Sequence, residues 1–398
     1  MSFERFLHPV SPAGRPDEEA LSAAVRPLAA IERPPCSPGE REAAHLIADR
    51  LLGLGAAARV EEVPARGPRA RPAGALAGLA ALAGLLGGLL GPWPRAARVL
   101  GALGGTAAAL GTAAELSGGA RSAPTVPVPV PVRVRRRTAC NVVAGLGDAS
   151  APRTLVVVAH HGAVPRPGSL AVPERFRHVP VWWTAVAGPV LVAFGAVAGR
   201  RAVRVTGTAL SAAVAVAAGA AALVRRPVPG SDDGLTGVPV LVALAESVHR
   251  RPLHGLRIVL LSAGGDPAWQ DGAAGFALSH FPSLARTTTW FLVLDGVGSG
   301  ELVLLGAEGR LRGRAYDPAF GELIARCAVE QGLALRRVPR SFGGSAGSVP
   351  LRAGYTAACL TSTARQGAGP RDGADYRCVA DATQLTEAVA RALAAATH

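Results

Sequence analysis

The chain has 398 residues, 49% of them hydrophobic and 4% aromatic, and a formal net charge of +14 in which all 42 basic residues are arginine. That length leaves room for two or three domains with a sizeable core, and a mean hydropathy of +0.29 is high for a wholly soluble enzyme. The arginines stand singly or beside apolar runs with almost no aromatic interleaving, so a nucleic-acid groove finds no support and the flanks of membrane segments explain the charge better.

In chain order, residues 1–36 mix Pro, Arg and Glu without a period and are expected to lie loosely on the surface. Their first residues lack a charged-then-apolar leader, so any membrane insertion is expected to use internal helices. At Ser37-Pro38-Gly39-Glu40 a capping serine, a proline at the first helical position and a glutamate three residues after the serine predict a helix. Ala43, Ala44, Leu46, Ile47, Leu51 and Leu54 form its apolar face, and Gly53 and Gly55 end it; Val60–Val63 reads as a short strand. Residues 37–72 thus begin an α/β domain.

Gly74–Gly91 and Val99–Ala114 are then uncharged and apolar, with Pro92-Trp93-Pro94-Arg95 between them. A spanning helix needs about 20 apolar residues, so each reaches across a bilayer only with help from its flanks. Gly84 and Gly88, and Gly101 and Gly105, have the spacing that lets helices approach closely. Residues 73–117 are accordingly expected to form a first transmembrane hairpin, with a buried soluble helix pair as the alternative.

Residues 118–178 hold an extended Val-Pro linker at Pro124–Pro131, an arginine cluster at 133–137, and two strands at Asn141–Ala144 and Thr154–Ala159. A second apolar pair follows, Val179–Ala198 and Val203–Val224, with Trp182 and Trp183 at one end and Arg200, Arg201 and Arg204 at the other, as interface anchors would be. Residues 179–226 are therefore read as a second, stronger transmembrane hairpin. The arginine balance favours a multi-pass protein of the cell membrane whose globular domain faces the cytoplasm. From Pro239 onward helices and strands alternate: helices at Val240–Val248, Gly272–His280, Pro318–Gln331 and Leu385–Ala396, strands at Leu256–Leu261, Thr289–Leu294, Glu301–Leu305 and Ala357–Thr361. Residues 227–398 so complete a mostly parallel, helix-covered sheet.

Polar residues gather at the ends of these strands. His160 and His161 end the apolar run Leu155–Ala159; Asp233 stands four residues before Gly237; Asp266-Pro267 follows the next strand; Asp295 follows Phe291–Leu294. An α/β sheet delivers such side chains to the carboxyl edge of its strands, which makes a His/Asp metal cluster the site hypothesis. Five scattered cysteines, none in a C-x-x-C pair, suggest reduced thiols and neither a disulfide framework nor a thiolate metal site.

In this order the segments resemble the co-catalytic di-zinc aminopeptidase family, which includes bacterial leucyl aminopeptidases, glutamate carboxypeptidase, glutaminyl cyclase and the transferrin receptor. The resemblance runs from about Ser37 to the C-terminus, around the two apolar hairpins. It implies that His160 and Asp295 serve one metal, with Asp233 as the bridging ligand and Asp266 at the general-base position. The second metal would need a carboxylate where Pro267 stands and an imidazole where Arg377 stands, and neither residue binds zinc. Gly162 replaces the aspartate that orients the first histidine. The family site is therefore degenerate: at most one zinc ion, or none, with Arg377 offering a fixed positive charge in place of the lost ion.

Each signal also has a plainer reading. His160 alone suits a hydrogen-bonded core histidine, Asp232-Asp233-Gly234 and Asp266-Pro267 are ordinary turn signals, His161 and Cys378 suit the interior, and Gly343–Ser348 reads as a flexible loop near the pocket mouth. Two functions follow from the resemblance. One is an inactive or weakly active peptidase homologue that binds a peptide or protein in the degenerate pocket and contacts the lipid bilayer through its hairpins. The other is an active mononuclear zinc metallopeptidase or amidohydrolase. A transporter is disfavoured by the absence of any intramembrane charge other than Glu115, near a helix end.

Overall fold

The structure, a computed structural model, describes residues 14–65, 72–89, 94–116, 137–163, 182–223, 235–265, 270–298, 300–309, 313–341, 343–363 and 375–395. Asp17 caps α1 (Glu18–Ala29) by accepting from the Glu19 amide, and Leu21, Val25 and Leu28 bury one face of it. This helix lies within the stretch expected to be loose; its apolar stripe is only three residues long and Pro27 interrupts it, so the period is easily missed. Ser37 accepts from the Glu40 amide at 3.2 Å and opens α2 (Pro38–Gly53), as the capping pattern requires.

The remaining elements follow as β1 (Ala57–Ala65), α3 (Pro72–Leu89), α4 (Pro94–Leu116), β2 (Arg137–Gly147), β3 (Thr154–His160), α5 (Trp182–Val197), α6 (Arg201–Leu223) and α7 (Val238–Arg250). Then come β4 (Arg257–Ala263), α8 (Asp271–His280), β5 (Thr289–Leu294), β6 (Leu302–Leu305), β7 (Ala307–Glu308), β8 (Arg314–Ala315), α9 (Pro318–Glu330), β9 (Leu335–Val338), α10 (Ser348–Ala353), β10 (Thr356–Ser362) and α11 (Tyr376–Ala395). The final helix starts at Tyr376, nine residues earlier than its apolar period predicts.

The chain divides into two compact units, Met1–Pro68 with Val134–Pro165 and Pro227–His398, and Arg69–Arg133 with Arg166–Arg226. In the first, eight strands form one sheet in the order β1-β2-β4-β3-β5-β10-β6-β9. The central four, β4, β3, β5 and β10, run parallel, and β2 and β6 pair antiparallel at their flanks. Every residue of β3 is buried, as expected of a strand covered on both faces. One face carries α1, α2, α7, α9 and α11 around Leu155, Val157, Leu241 and Leu385; the other carries α8 and α10 around Val156, Val158, Phe276 and Phe291. From β3 the chain goes on to β4 on one side and returns to β5 on the other, so the order reverses beside β3. Open α/β sheets bind ligands at such a point, beyond the carboxyl ends of the strands.

In the second unit α3 packs on α4 and α6, and α5 on the same two helices. Small residues line the contacts: a Cβ on Gly105 would sit 2.7 Å from the Ala193 amide nitrogen. Ala77, Ala80, Ala108, Val192, Ala196 and Ser211 are buried, whereas Leu85, Leu103, Leu110, Phe194, Val197 and Val216 are exposed. Two membrane-spanning hairpins are nevertheless not what these helices provide. Among the described residues one helix, Arg201–Ala220, is long and apolar enough to cross a membrane, on length and composition alone. The apolar parts of α3 and α5, Gly74–Gly87 and Trp183–Val197, are shorter, and at 1.5 Å per residue they rise only about 20 Å against a hydrocarbon core of about 30 Å. Helix α4 begins with Arg95 and Arg98, which break its apolar run.

Candidate metal and catalytic site

His160 is the last residue of β3 and is 6% exposed. The β3–β5 register pairs Val158 with Val293, so two residues further on His160 and Asp295 leave neighbouring parallel strands at the same level. Asp295 is half-buried and fixed through its backbone: its amide donates to the Leu360 carbonyl at 2.8 Å, and its carbonyl accepts from the Thr361 hydroxyl at 2.7 Å. The register thus puts two of the three expected ligand positions at the same level on neighbouring strands.

Asp233, Asp266 and Pro267 lie outside the described residues, as does the Val-Pro linker. A Cβ on Gly237 would lie 2.8 Å from the Ala159 Cβ and 3.3 Å from the Leu294 Cβ, so the turn after Asp233 is pressed between the ends of β3 and β5. Gly264 and Gly265, just before Asp266, leave the carboxyl end of β4 beside β3. Among the described residues no group of three or more His, Cys, Asp or Glu is disposed to hold a metal ion. An imidazole and a carboxylate on adjacent strands fit the donor chemistry of zinc, with Asp233 needed as the third ligand.

Gly162, where the resemblance puts the aspartate that orients His160, is tightly packed. A Cβ on Gly162 would lie 2.8 Å from the Gly265 carbonyl oxygen, so no aspartate fits there to orient His160 unless a loop moves. Arg377 opens the first turn of α11 with its side chain exposed and its amide donating to Asp375 Oδ1 at 3.0 Å. The charge of Arg377 acts on Asp381, whose carboxyl is raised by burial and lowered in part by Arg15 and Arg377.

His161 is fully buried, with Nδ1 2.9 Å from the Ser262 hydroxyl. Burial first, then the charges of His160 and Arg33, push its pKa down to about 3, so the ring is neutral. It is a core residue, as is Cys378, 2% exposed among the apolar side chains of α11. All five cysteines are unbridged.

Sequence reasoning missed the residues that hold this edge in place. Buried Arg33 donates through Nε to the His161 carbonyl at 3.1 Å. Buried Glu40 accepts from the Cys36 amide at 2.6 Å and the Cys140 amide at 3.0 Å, and the Gly265 amide also bonds to it. Burial raises its pKa and those amides lower it. The capping pattern marked Glu40, though only as a partner of its own helix; nothing in the sequence marked Arg33. Glu308 was missed too. Burial pushes its pKa up to about 7 against the hydrogen bonds of Ser345 and Tyr316, and the charge of Asp295 adds to the rise.

A groove of about 850 Å³ lies elsewhere, lined by Gly147, Asp148, His249, His254, Arg257 and His280 among others. Arg257 begins β4, so the groove is at the opposite edge of the sheet and contains none of the expected ligands.

No family model and no curated protein sequence matches this chain. Solved structures do. A glutaminyl cyclase from Bacteroides thetaiotaomicron bound to N-acetylhistamine superposes with a TM-score of 0.55 at 11% identity, over 95% of this chain and 99% of that one. A leucine aminopeptidase precursor from the same organism gives 0.53 at 12% identity over the same shares. The aminopeptidase of Aneurinibacillus sp. strain AM-1 gives 0.51 at 14% identity, over 94% and 93%. At such identities the likeness is one of fold, and the fold of this chain is that of zinc-dependent exopeptidases and glutaminyl cyclases.

Proposed function

We propose that this chain is a membrane-anchored homologue of the zinc exopeptidases that holds at most one metal ion and serves chiefly to bind a peptide or protein at the carboxyl edge of its sheet. Gly162 supports this reading: a Cβ there would lie 2.8 Å from the Gly265 carbonyl oxygen, so the aspartate that the resemblance implies at this position would need the backbone to shift. His160, Asp233 and Asp295 would hold the ion, which when bound would polarise a substrate carbonyl or a water as a Lewis acid. Asp266 would take the proton, one methylene shorter than the glutamate of the family and next to the rigid Pro267. With neither a second ion nor an oriented His160, hydrolysis is expected to be slow or absent. The alternative, an active mononuclear amidohydrolase, draws support from the fixed register of His160 and Asp295.

The bilayer is the surface that suits the second unit, because its pattern is inside out. Small and hydroxyl side chains are buried between the helices and large aliphatic ones face outward, as they do where lipid replaces water.

Zinc content of the purified protein, measured beside an Asp233→Ala variant, tests the site. About one ion per chain, lost in the variant, supports a mononuclear centre and directs attention to peptide and acyl-amide substrates. No stoichiometric metal in either protein removes the metal from the proposal and leaves a pure binding module.

A further inference from the structure

The groove at the amino edge of the sheet has no part in the site so far, and it opens over a floor that the sequence leaves bare. Ala57 and Arg59 of β1, Gly145 and Gly147 of β2, and Arg257 and Val259 of β4 all line it. The register sets Ala57 and Val259 against Gly145, and Arg257 against Gly147, so these residues share one face of three neighbouring strands.

Gly145 stands inside β2, where a glycine weakens the strand. Packing does not demand it: an added Cβ would meet nothing nearer than the Ala57 Cβ at 4.0 Å, and its φ is not in the left-handed region. What the missing side chain does is keep the floor open, as strand glycines do where a ligand approaches the backbone closely. The groove's volume, about 850 Å³, is that of a pocket for a small organic molecule.

Charge gives the occupant its sign. Arg59 Nε lies 2.7 Å from Glu61 Oε1 and His280 Nε2 lies 2.8 Å from Glu61 Oε2, so those two are already paired. Asp148 is the one acid on the lining, and both its oxygens are spent nearby: Oδ1 accepts from the Ser150 amide at 2.9 Å and Oδ2 from the Gly255 amide at 3.4 Å. Arg257 is half-buried, and its guanidinium has no carboxylate partner among the described residues. Beside it the lining is apolar, with Val143, Leu253 and Val259 all buried. An unpaired guanidinium suits an oxyanion, which it can hold through two parallel N–H bonds.

We propose that this groove is a second binding site, for a small organic molecule with an apolar body laid on the bare floor and an oxyanion head, carboxylate or phosphate, held by Arg257. It is independent of any metal at the carboxyl edge.

Equilibrium dialysis of the full chain in uncharged detergent micelles tests it, with EDTA present and a micelle-only blank subtracted. The probes are naphthylacetate, naphthyl phosphate and the neutral naphthylacetamide. The wild type is expected to bind at least one of the two anions, and the one it prefers identifies the head; the amide should bind about ten-fold more weakly. Arg257→Gln should weaken the anion about ten-fold and leave the amide unchanged. Gly145→Leu, which puts a side chain into open space, should abolish binding while the circular dichroism of the fold is kept. No anion bound above the blank, equal affinity for acid and amide, or undiminished binding in Gly145→Leu would each overturn the proposal. Should Gly145→Leu fail to fold, Arg257→Gln decides alone, and wild-type affinity for the anion in that variant overturns it.

Discussion

At Gly162 a Cβ would press on the Gly265 carbonyl, and hydrogen bonds anchor the backbone on both sides of that contact. Arg33 fixes the His161 carbonyl next door, and Glu40 bonds the Gly265 amide. Gly162→Ala is therefore expected to cost about 1–3 kcal/mol, as overpacking does. Gly162→Asp, which restores the family residue, should cost at least as much and not repair the site. Urea midpoints of the full chain in micelles measure both, and unchanged midpoints would mean that the loops can part. Glu308 gives a prediction in pH. Its carboxyl ionises at about 7 when folded against an ordinary value of 4.5. Below pH 4.5 both states are protonated and the stability it contributes is fully present. Between 4.5 and 7 only the unfolded chain loses the proton, so stability falls by about 1.4 kcal/mol per pH unit and stays low above 7. Gln at this position keeps an acceptor for Ser345 and cannot ionise. Glu308→Gln should thus gain on the wild type by roughly 3 kcal/mol between pH 4.5 and pH 8; a variant that retains the wild-type slope would show that the slope belongs to other groups.

Among the elements, those with a long apolar period were legible from sequence and those held by tertiary contacts were not. β5 has the predicted bounds, Thr289–Leu294, because a six-residue aliphatic run between polar turns has few alternatives. The short β9, whose middle residues Arg336 and Arg337 are exposed, owes its place to pairing with β6. β7 and β8 are two residues each and pair with one another, and Glu308 of β7 also bridges to Ser341. The arm from α1 into α2 shows the same division at finer grain. Ser37 and Glu40 announce the helix, but the Glu40 carboxylate is spent on Cys36, Cys140 and the Gly265 loop, which local spacing cannot reveal. This yields an unequal pair of mutants. Ser37→Ala loses one cap and should cost about 1 kcal/mol. Glu40→Ala strands several buried amides and should cost roughly 2–4 kcal/mol. Equal losses, read as thermal or urea midpoints, would show that Glu40 acts only as part of the cap.

Across the whole molecule, the alternation of apolar strands and helices was enough to anticipate a mainly parallel, helix-covered sheet, since parallel strands bring successive carboxyl ends together whatever the loops do. Which loops close over that edge, and how tightly, depends on residues remote in sequence such as Arg33 and Ser345. The helical unit poses the corresponding question for solvent. Its helices hide alanine and serine and display Leu85, Leu103, Leu110, Phe194 and Val216, a surface that water would drive into self-association. Lipid would not, because acyl chains are as apolar as those side chains. Purified without detergent, the full chain should aggregate or co-sediment with phosphatidylcholine vesicles, and resist extraction from them by alkaline carbonate. Replacing the outward Leu103 and Val216 together by arginine should weaken vesicle binding without dissolving the sheet unit. A detergent-free chain that stays monomeric in size-exclusion chromatography and ignores vesicles would remove the bilayer from the proposal, and the outward aliphatic residues would then have to be covered by a protein partner or a second copy.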